Sequence, residues 1–205
     1  MHSVEKVIFM NDVVNSTKKW NKNGIKMFHE INRITKIITS LLKHHQGIII
    51  KMMGDSFMIA FDDLLDCIAF AIEFQHTLYT SKTLLNKQLE FRTGIYYGHV
   101  FERDMIIQKC LVKDFFGNVI NIASRLESKV SDKNSIAVGI NNTRDLHSII
   151  DYLKTKNYTY ELLKYNKQCK TIKKRSLYKC KSIKLLKGVN KNIKVLKIIR
   201  KNIFK

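Results

Sequence analysis

The stretch Asp114-Phe-Phe-Gly-Asn-Val-Ile-Asn121-Ile-Ala-Ser-Arg125 holds the densest chemistry in this chain. Asn121 and Arg125 are four residues apart, so a helix puts an amide and a guanidinium on one face. Asp114 stands just before that helix, and a helix opening after the Gly117 turn aims free backbone N–H groups at an anion. A carboxylate, an amide and a guanidinium aimed at one spot can read a base, hold a ribose and clamp a phosphate. Two further acids stand at the ends of apolar segments. Asp12 follows residues 4–10, and Asp55 lies in the tight turn of Lys51-Met-Met-Gly-Asp-Ser-Phe57. Brought to one sheet rim, they would repel unless a cation or proton lay between them. Hard oxygen ligands suit magnesium and its bound phosphates. Alone, Asp12 reads more readily as a helix cap and Asp55 as a turn residue; jointly, beside the downstream motif, the metal reading gains.

The positioning elements follow from periodicity. Apolar residues at 3.6-residue spacing predict a helix over 19–45, ended by Gly47, with His44 and His45 as a solvated pair beside its C-terminal dipole. Residues 48–53 and 56–61 read as strands around a Gly54-Asp55 hairpin turn, and Asp62-Asp63 opens a helix to about residue 80. Residues 89–97 and 99–110 read as strands joined near Gly98, with a hairpin over 99–113. A helix over 117–130, a strand over 135–138, a helix over 141–153 and strands over 183–186 and 193–199 complete the pattern. The expected fold class is α+β, a mostly antiparallel sheet with helices packed on it.

Composition fits this. At 205 residues, 45% hydrophobic and 26% charged, the chain reads as one globular domain, with a core over about 4–199 and a short basic tail, 200–205. No apolar run approaches the ~18 residues of a membrane span, and the first residues lack signal-peptide architecture. Cys67, Cys110, Cys169 and Cys180 form no CxxC pair, so a reduced, cytoplasmic chain is expected. The net charge is +20, and from Tyr152 to Lys205 there are 18 Lys/Arg against one acid, Glu161. A solvated lysine-rich face is the favoured reading, because the basic residues are spread through apolar periodic segments. Binding to nucleic acid, a nucleotide or an anionic membrane is the functional alternative. No DNA- or RNA-binding motif is present.

Four segments, in order, resemble the catalytic domain of the class III nucleotidyl cyclases. Phe-Met-Asn-Asp12-Val-Val-Asn-Ser-Thr is similar to that family's first metal motif, and Ile50-Lys51-Met-Met-Gly-Asp55-Ser-Phe to its second. Arg92-Thr-Gly-Ile-Tyr-Tyr-Gly98 resembles the strand that follows, and Asp114 through Arg125 is the strongest match. Leu186-Lys187-Gly188 is a weaker fifth, similar to a late loop before the last strand. The resemblance implies a ferredoxin-like cyclase fold and two Mg2+ or Mn2+ ions held by Asp12, Asp55 and the Val13 carbonyl. It implies that Lys51 and Asp114 read the base, Asn121 positions the ribose, Arg125 stabilises charge on the α-phosphate and Lys187 contacts the terminal phosphates. The cluster Lys173-Lys174-Arg175 competes with Lys187 for that role. The family's site forms at a dimer interface; since this chain holds both halves, a head-to-tail homodimer is implied.

Donors and acceptors favour ATP. Adenine offers an acceptor at N1 and a donor at its amine, which Lys51 and Asp114 complement; guanine reverses that edge. The expected activity is therefore an adenylate cyclase. The alternatives are a cyclase making cyclic GMP or a cyclic pyrimidine nucleotide, or an inactive module that binds a nucleotide or a partner. A weak anionic-membrane contact through the basic C-terminal region is a further expectation, and no specific nucleic acid is expected.

Overall fold

The structure, a computed structural model, describes residues 2–81, 83, 85, 88–156, 158–166, 178–182 and 193–199. Period-two alternation builds its centre. In β1 (His2–Val13), Val7, Phe9 and Val13 point into one apolar cluster and Ile8 into another; β3 (Ser56–Phe61) divides Phe57, Ile59 and Phe61 from Met58 and Ala60 in the same way. A sheet that is apolar on both faces must be covered on both. One face carries α2 (Gly24–Leu41), α3 (Leu64–Thr80) and α5 (Thr143–Thr155); the other carries α4 (Asn118–Arg125). Phe9, Phe70 and Phe74 meet edge-on or stacked beneath the three-helix face, with centroids 5.3–6.4 Å apart.

The remaining strands are β2 (Gly47–Met53), β4 (Phe91–Ile107), β5 (Cys110–Phe116), β6 (Ser135–Ile140), β7 (Thr159–Asn166), β8 (Tyr178–Ser182) and β9 (Ile193–Ile199). Their order is β2-β3-β1-β4-β6-β9-β7-β8, with β5 paired to β4. Among the described residues only β4–β6 and β7–β8 pair in parallel, so the sheet is mostly antiparallel, and the α+β reading holds.

The expected 19–45 helix is two helices, α1 (Ser16–Lys22) and α2. The chain turns out of helical geometry at Asn23, whose side chain then caps α2 by accepting from the Lys26 N–H at 2.9 Å. Gly47 opens β2 instead of closing the helix. No break occurs at Gly98: β4 runs on to Ile107, and the reversal falls at Gln108 and Lys109, both at positive φ. That is primed-turn geometry without the usual Asn or Gly, which is why composition did not reveal it. The helix over 117–130 is α4 followed by one wider π turn, Leu126–Val130. Strand β7 was not expected. The expected 183–186 strand, Lys187 with its loop, the Lys173 cluster and the 200–205 tail all lie outside the described residues.

Candidate active site

Asp12 ends β1 on the α4 face, since its neighbour Val13 belongs to the opposite core. Antiparallel register sets Arg92 of β4 across from it, and the guanidinium Nη2 donates to Asp12 Oδ2 at 2.8 Å. The other oxygen, Oδ1, accepts from the Ser56 hydroxyl at 2.6 Å. Ser56 directly follows Asp55, so the β2–β3 turn and the end of β1 do meet at one rim. Gly54 takes a positive φ of 64° in that turn. Asp55 Oδ2 is buried with no hydrogen-bond partner among the described residues. An anionic oxygen held out of water without a donor is costly, and a hard cation beside it relieves that cost. Asp12 and Asp55 therefore fit a divalent ion. No cluster of three or more His, Cys, Asp or Glu ligands forms among the described residues, so such an ion would draw its other ligands from water or phosphate.

Arg92 reaches further. Its Nε lies 3.0 Å from Glu127 Oε1, a charge contact without hydrogen-bond alignment. Burial pushes the Glu127 carboxyl up to about 7; Arg92 opposes that rise and the Asp12 charge adds to it. Glu127 sits in the π turn, a geometry that recurs at functional sites. The turn can lie this close because residue 94 is glycine: a Cβ there would stand 2.2 Å from the Ala123 carbonyl oxygen and 2.3 Å from the Glu127 nitrogen. Sequence reasoning placed Arg92 in a strand motif without a role, and it gave no role to Ser56 or Glu127. Each is defined by cross-strand register or by helix-on-sheet approach.

Lys51 and Asp114 also come together. Lys51 Nζ stands 2.9 Å from Asp114 Oδ2, while Asp114 Oδ1 accepts from the Phe115 N–H at 2.8 Å. A β-bulge makes this contact. Ile49 pairs with Ile59 but Lys51 pairs with Met58, so one residue of β2 is unmatched and every later side chain changes face. Met58 faces α4, and Lys51 with it. Phe116, part-exposed, lies beneath two cations, with Lys51 Nζ 5.7 Å and Arg103 4.8 Å from its ring centre.

Helix α4 buries Val119, Ile122 and Ala123 and turns Asn121 and Arg125 the other way. Asn121 is exposed and Arg125 half-exposed; neither has a hydrogen-bond or ion-pair partner among the described residues. Gly117, at φ 146°, opens the helix. The expected solvated histidine pair is corrected at His45, which is mostly buried between Asp66 (Nδ1 to Oδ1, 2.6 Å) and Glu73 (Nε2 to Oε2, 3.0 Å) and ties the α2–β2 connection to α3. Burial lowers the His45 pKa, but the bonds and charges of the two carboxylates outweigh it and raise the value.

The comparisons bear on the chain as a whole. The adenylate and guanylate cyclase catalytic domain profile matches residues 1–181. The chain belongs to that family. This cyclase domain is 27% identical over 175 residues to the adenylate cyclase of Schizosaccharomyces pombe, which covers 76% of the chain; the chain spans about a tenth (10%) of that relative's length. Among solved structures it resembles the guanylate cyclase domain of RhGC from Catenaria anguillulae in complex with GTP (TM-score 0.70, 15% identity, 98% of this chain and 99% of that one). It also resembles the adenylyl cyclase CyaB from P. aeruginosa (TM-score 0.67, 16% identity, 97% and 96%). At these identities the likeness is one of fold, and it includes cyclases named for either purine.

Proposed function

We propose that this cyclase domain converts ATP to 3′,5′-cyclic AMP and pyrophosphate at a site shared between two copies of the chain. The observation that carries the reading is the ion pair of Lys51 and Asp114, 2.9 Å apart on the α4 face. It holds one donor and one acceptor where adenine needs both, Lys51 toward N1 and Asp114 toward the exocyclic amine. In the chemical step the ribose 3′-oxygen attacks the α-phosphorus and loses its proton to water. The bond from that phosphorus to the bridging oxygen breaks, and pyrophosphate leaves with the electron pair.

Such a transfer asks the protein mainly for positioning and charge stabilisation. Asn121 orients the ribose, Arg125 neutralises charge growing on the α-phosphate, and Lys187 holds the terminal phosphates. Asp12, Asp55 and the Val13 carbonyl would hold two Mg2+ or Mn2+ ions, which would supply Lewis-acid activation of the attacking oxygen and neutralisation of the leaving group. Arg92 pairs with Asp12 at 2.8 Å and offsets part of its charge.

Asn121 and Arg125, turned outward and without a partner among the described residues, support a head-to-tail homodimer in which one copy lends the metal acids and the other the base, ribose and phosphate residues. The β4–β5 arm supports it too. Ile106 and Leu111, cross-strand partners near its tip, are 79% and 72% exposed, a surface suited to a second copy. No helix among the described residues is long and apolar enough to cross a membrane. The test is to incubate the protein with each of the four ribonucleoside triphosphates and Mn2+ and identify products by mass. Cyclic AMP should dominate. A preference for cyclic GMP or a cyclic pyrimidine nucleotide would overturn the base assignment, and no cyclic product at all would favour an inactive nucleotide-binding module.

A further inference from the structure

A cavity of about 650 Å³ opens at the same end of the sheet as the candidate site but on the other face, among α1, α3 and the starts of β4 and β6. It is within the size range of small-molecule sites. Its floor is apolar: Leu78 and Phe91 are buried, and Ile199 closes one side. Its polar lining mixes donors and acceptors, Gln75, Tyr79, Gln88 and Asn134 each carrying both. Gln75 lines it, is nine-tenths buried, and has an amide nitrogen, Nε2, without a hydrogen-bond partner among the described residues. Lys19 and Lys133 add two cations, and the one acid among the described lining residues, Glu90, is paired with Lys133 at 2.9 Å. An unsatisfied buried N–H is costly, and a ligand acceptor would remove that cost. Burial pushes the Lys19 ammonium down, opposed by Glu90, so an anion beside it would be welcome.

We propose that this cavity is an effector site for an anionic amphiphile, a single carboxylate on an unbranched apolar body. The carboxylate lies between Lys19 and Lys133, an oxygen accepts from Gln75 Nε2, and the body lies along Leu78, Phe91 and Ile199. The cavity is wired to the metal acids by backbone. Lys19 Nζ donates to the Val14 carbonyl, and the Val14 N–H donates to the Glu90 carbonyl at 2.8 Å. Val14 is two residues from Asp12, so a carboxylate that draws Lys19 away loosens the end of β1. The effector half of this proposal rests on the cyclase reading; the binding half does not.

Decanoate is the probe, below its micelle concentration, with decanol as the uncharged control and inorganic phosphate as the anion without a body. Calorimetry should show one decanoate per chain, and weaker or no binding of the two controls. Leu78→Trp, which fills the floor, and Lys133→Glu, at an exposed position that leaves the fold intact, should each weaken binding by about tenfold or more. Decanoate should change the wild-type cyclisation rate and leave that of Leu78→Trp unmoved. Absent binding, or binding equally strong in both variants, would overturn the site. Binding with an unchanged wild-type rate would overturn the effector role. If the wild type forms no cyclic nucleotide at all, it is the cyclase reading that falls, while the calorimetry still decides the site.

Discussion

Asp55 and Arg125 are the two side chains on which the proposed chemistry depends most. Asp55→Ala removes a buried carboxylate oxygen that has no hydrogen-bond partner among the described residues and that a cation would satisfy. Cyclisation should fall by at least ~10²-fold, with circular dichroism unchanged. Arg125→Ala should cost a similar ~10²–10³ in kcat, with a smaller effect on KM, because its charge is needed most in the transition state. Lys51→Ala should behave differently. It leaves Asp114 with only its Phe115 bond and should lower the ratio of kcat/KM for ATP over GTP by about tenfold, the worth of one hydrogen bond to a charged group. His45 makes a prediction about pH. Its folded pKa is raised above the ordinary 6.5, so the stability it adds is full below pH 6.5 and is lost as pH rises through the folded value. Thermal melts should show Tm falling over that interval in the wild type and a flatter profile in His45→Gln.

At the scale of elements, the site depends on one bulge and one glycine. Gly94→Ala pushes a Cβ into the backbone of α4 and the π turn. Overpacking of this kind should cost about 1–3 kcal/mol in chemical denaturation and displace Glu127 from Arg92. The elements also show where the sequence was legible. The apolar runs of β1 and β3, the Gly54-Asp55 turn and the 3.6-residue period of α3 were readable because they are local, and a strand buried on both faces reads as a continuous apolar run. The meeting of Asp12 with the Asp55 turn was anticipated from strand ends alone. The bulge that turns Lys51 toward Asp114 leaves no mark in residue types, so the pair could be expected only from the family resemblance. Arg92 gained its role from register with Asp12, a pairing 80 residues apart in the chain. The Gln108-Lys109 turn was missed because two ordinary side chains adopt positive φ there.

For the whole molecule, the claim is that each chain carries two half-sites that do not serve each other. Ile106→Lys with Leu111→Lys places charge on the exposed arm, and both dimer mass in solution and cyclic AMP formation should fall together. A drop in activity with the dimer intact would separate the arm from assembly. The most direct measurement mixes two inactive variants. Asp55→Ala retains the base, ribose and phosphate residues, and Arg125→Ala retains the metal acids. In a two-fold dimer, random exchange makes half the dimers mixed, each with one intact site, so activity should return to about a quarter of wild type, with cyclic AMP as product. A mixture as inactive as its parts, under conditions where subunits exchange, would contradict the shared site.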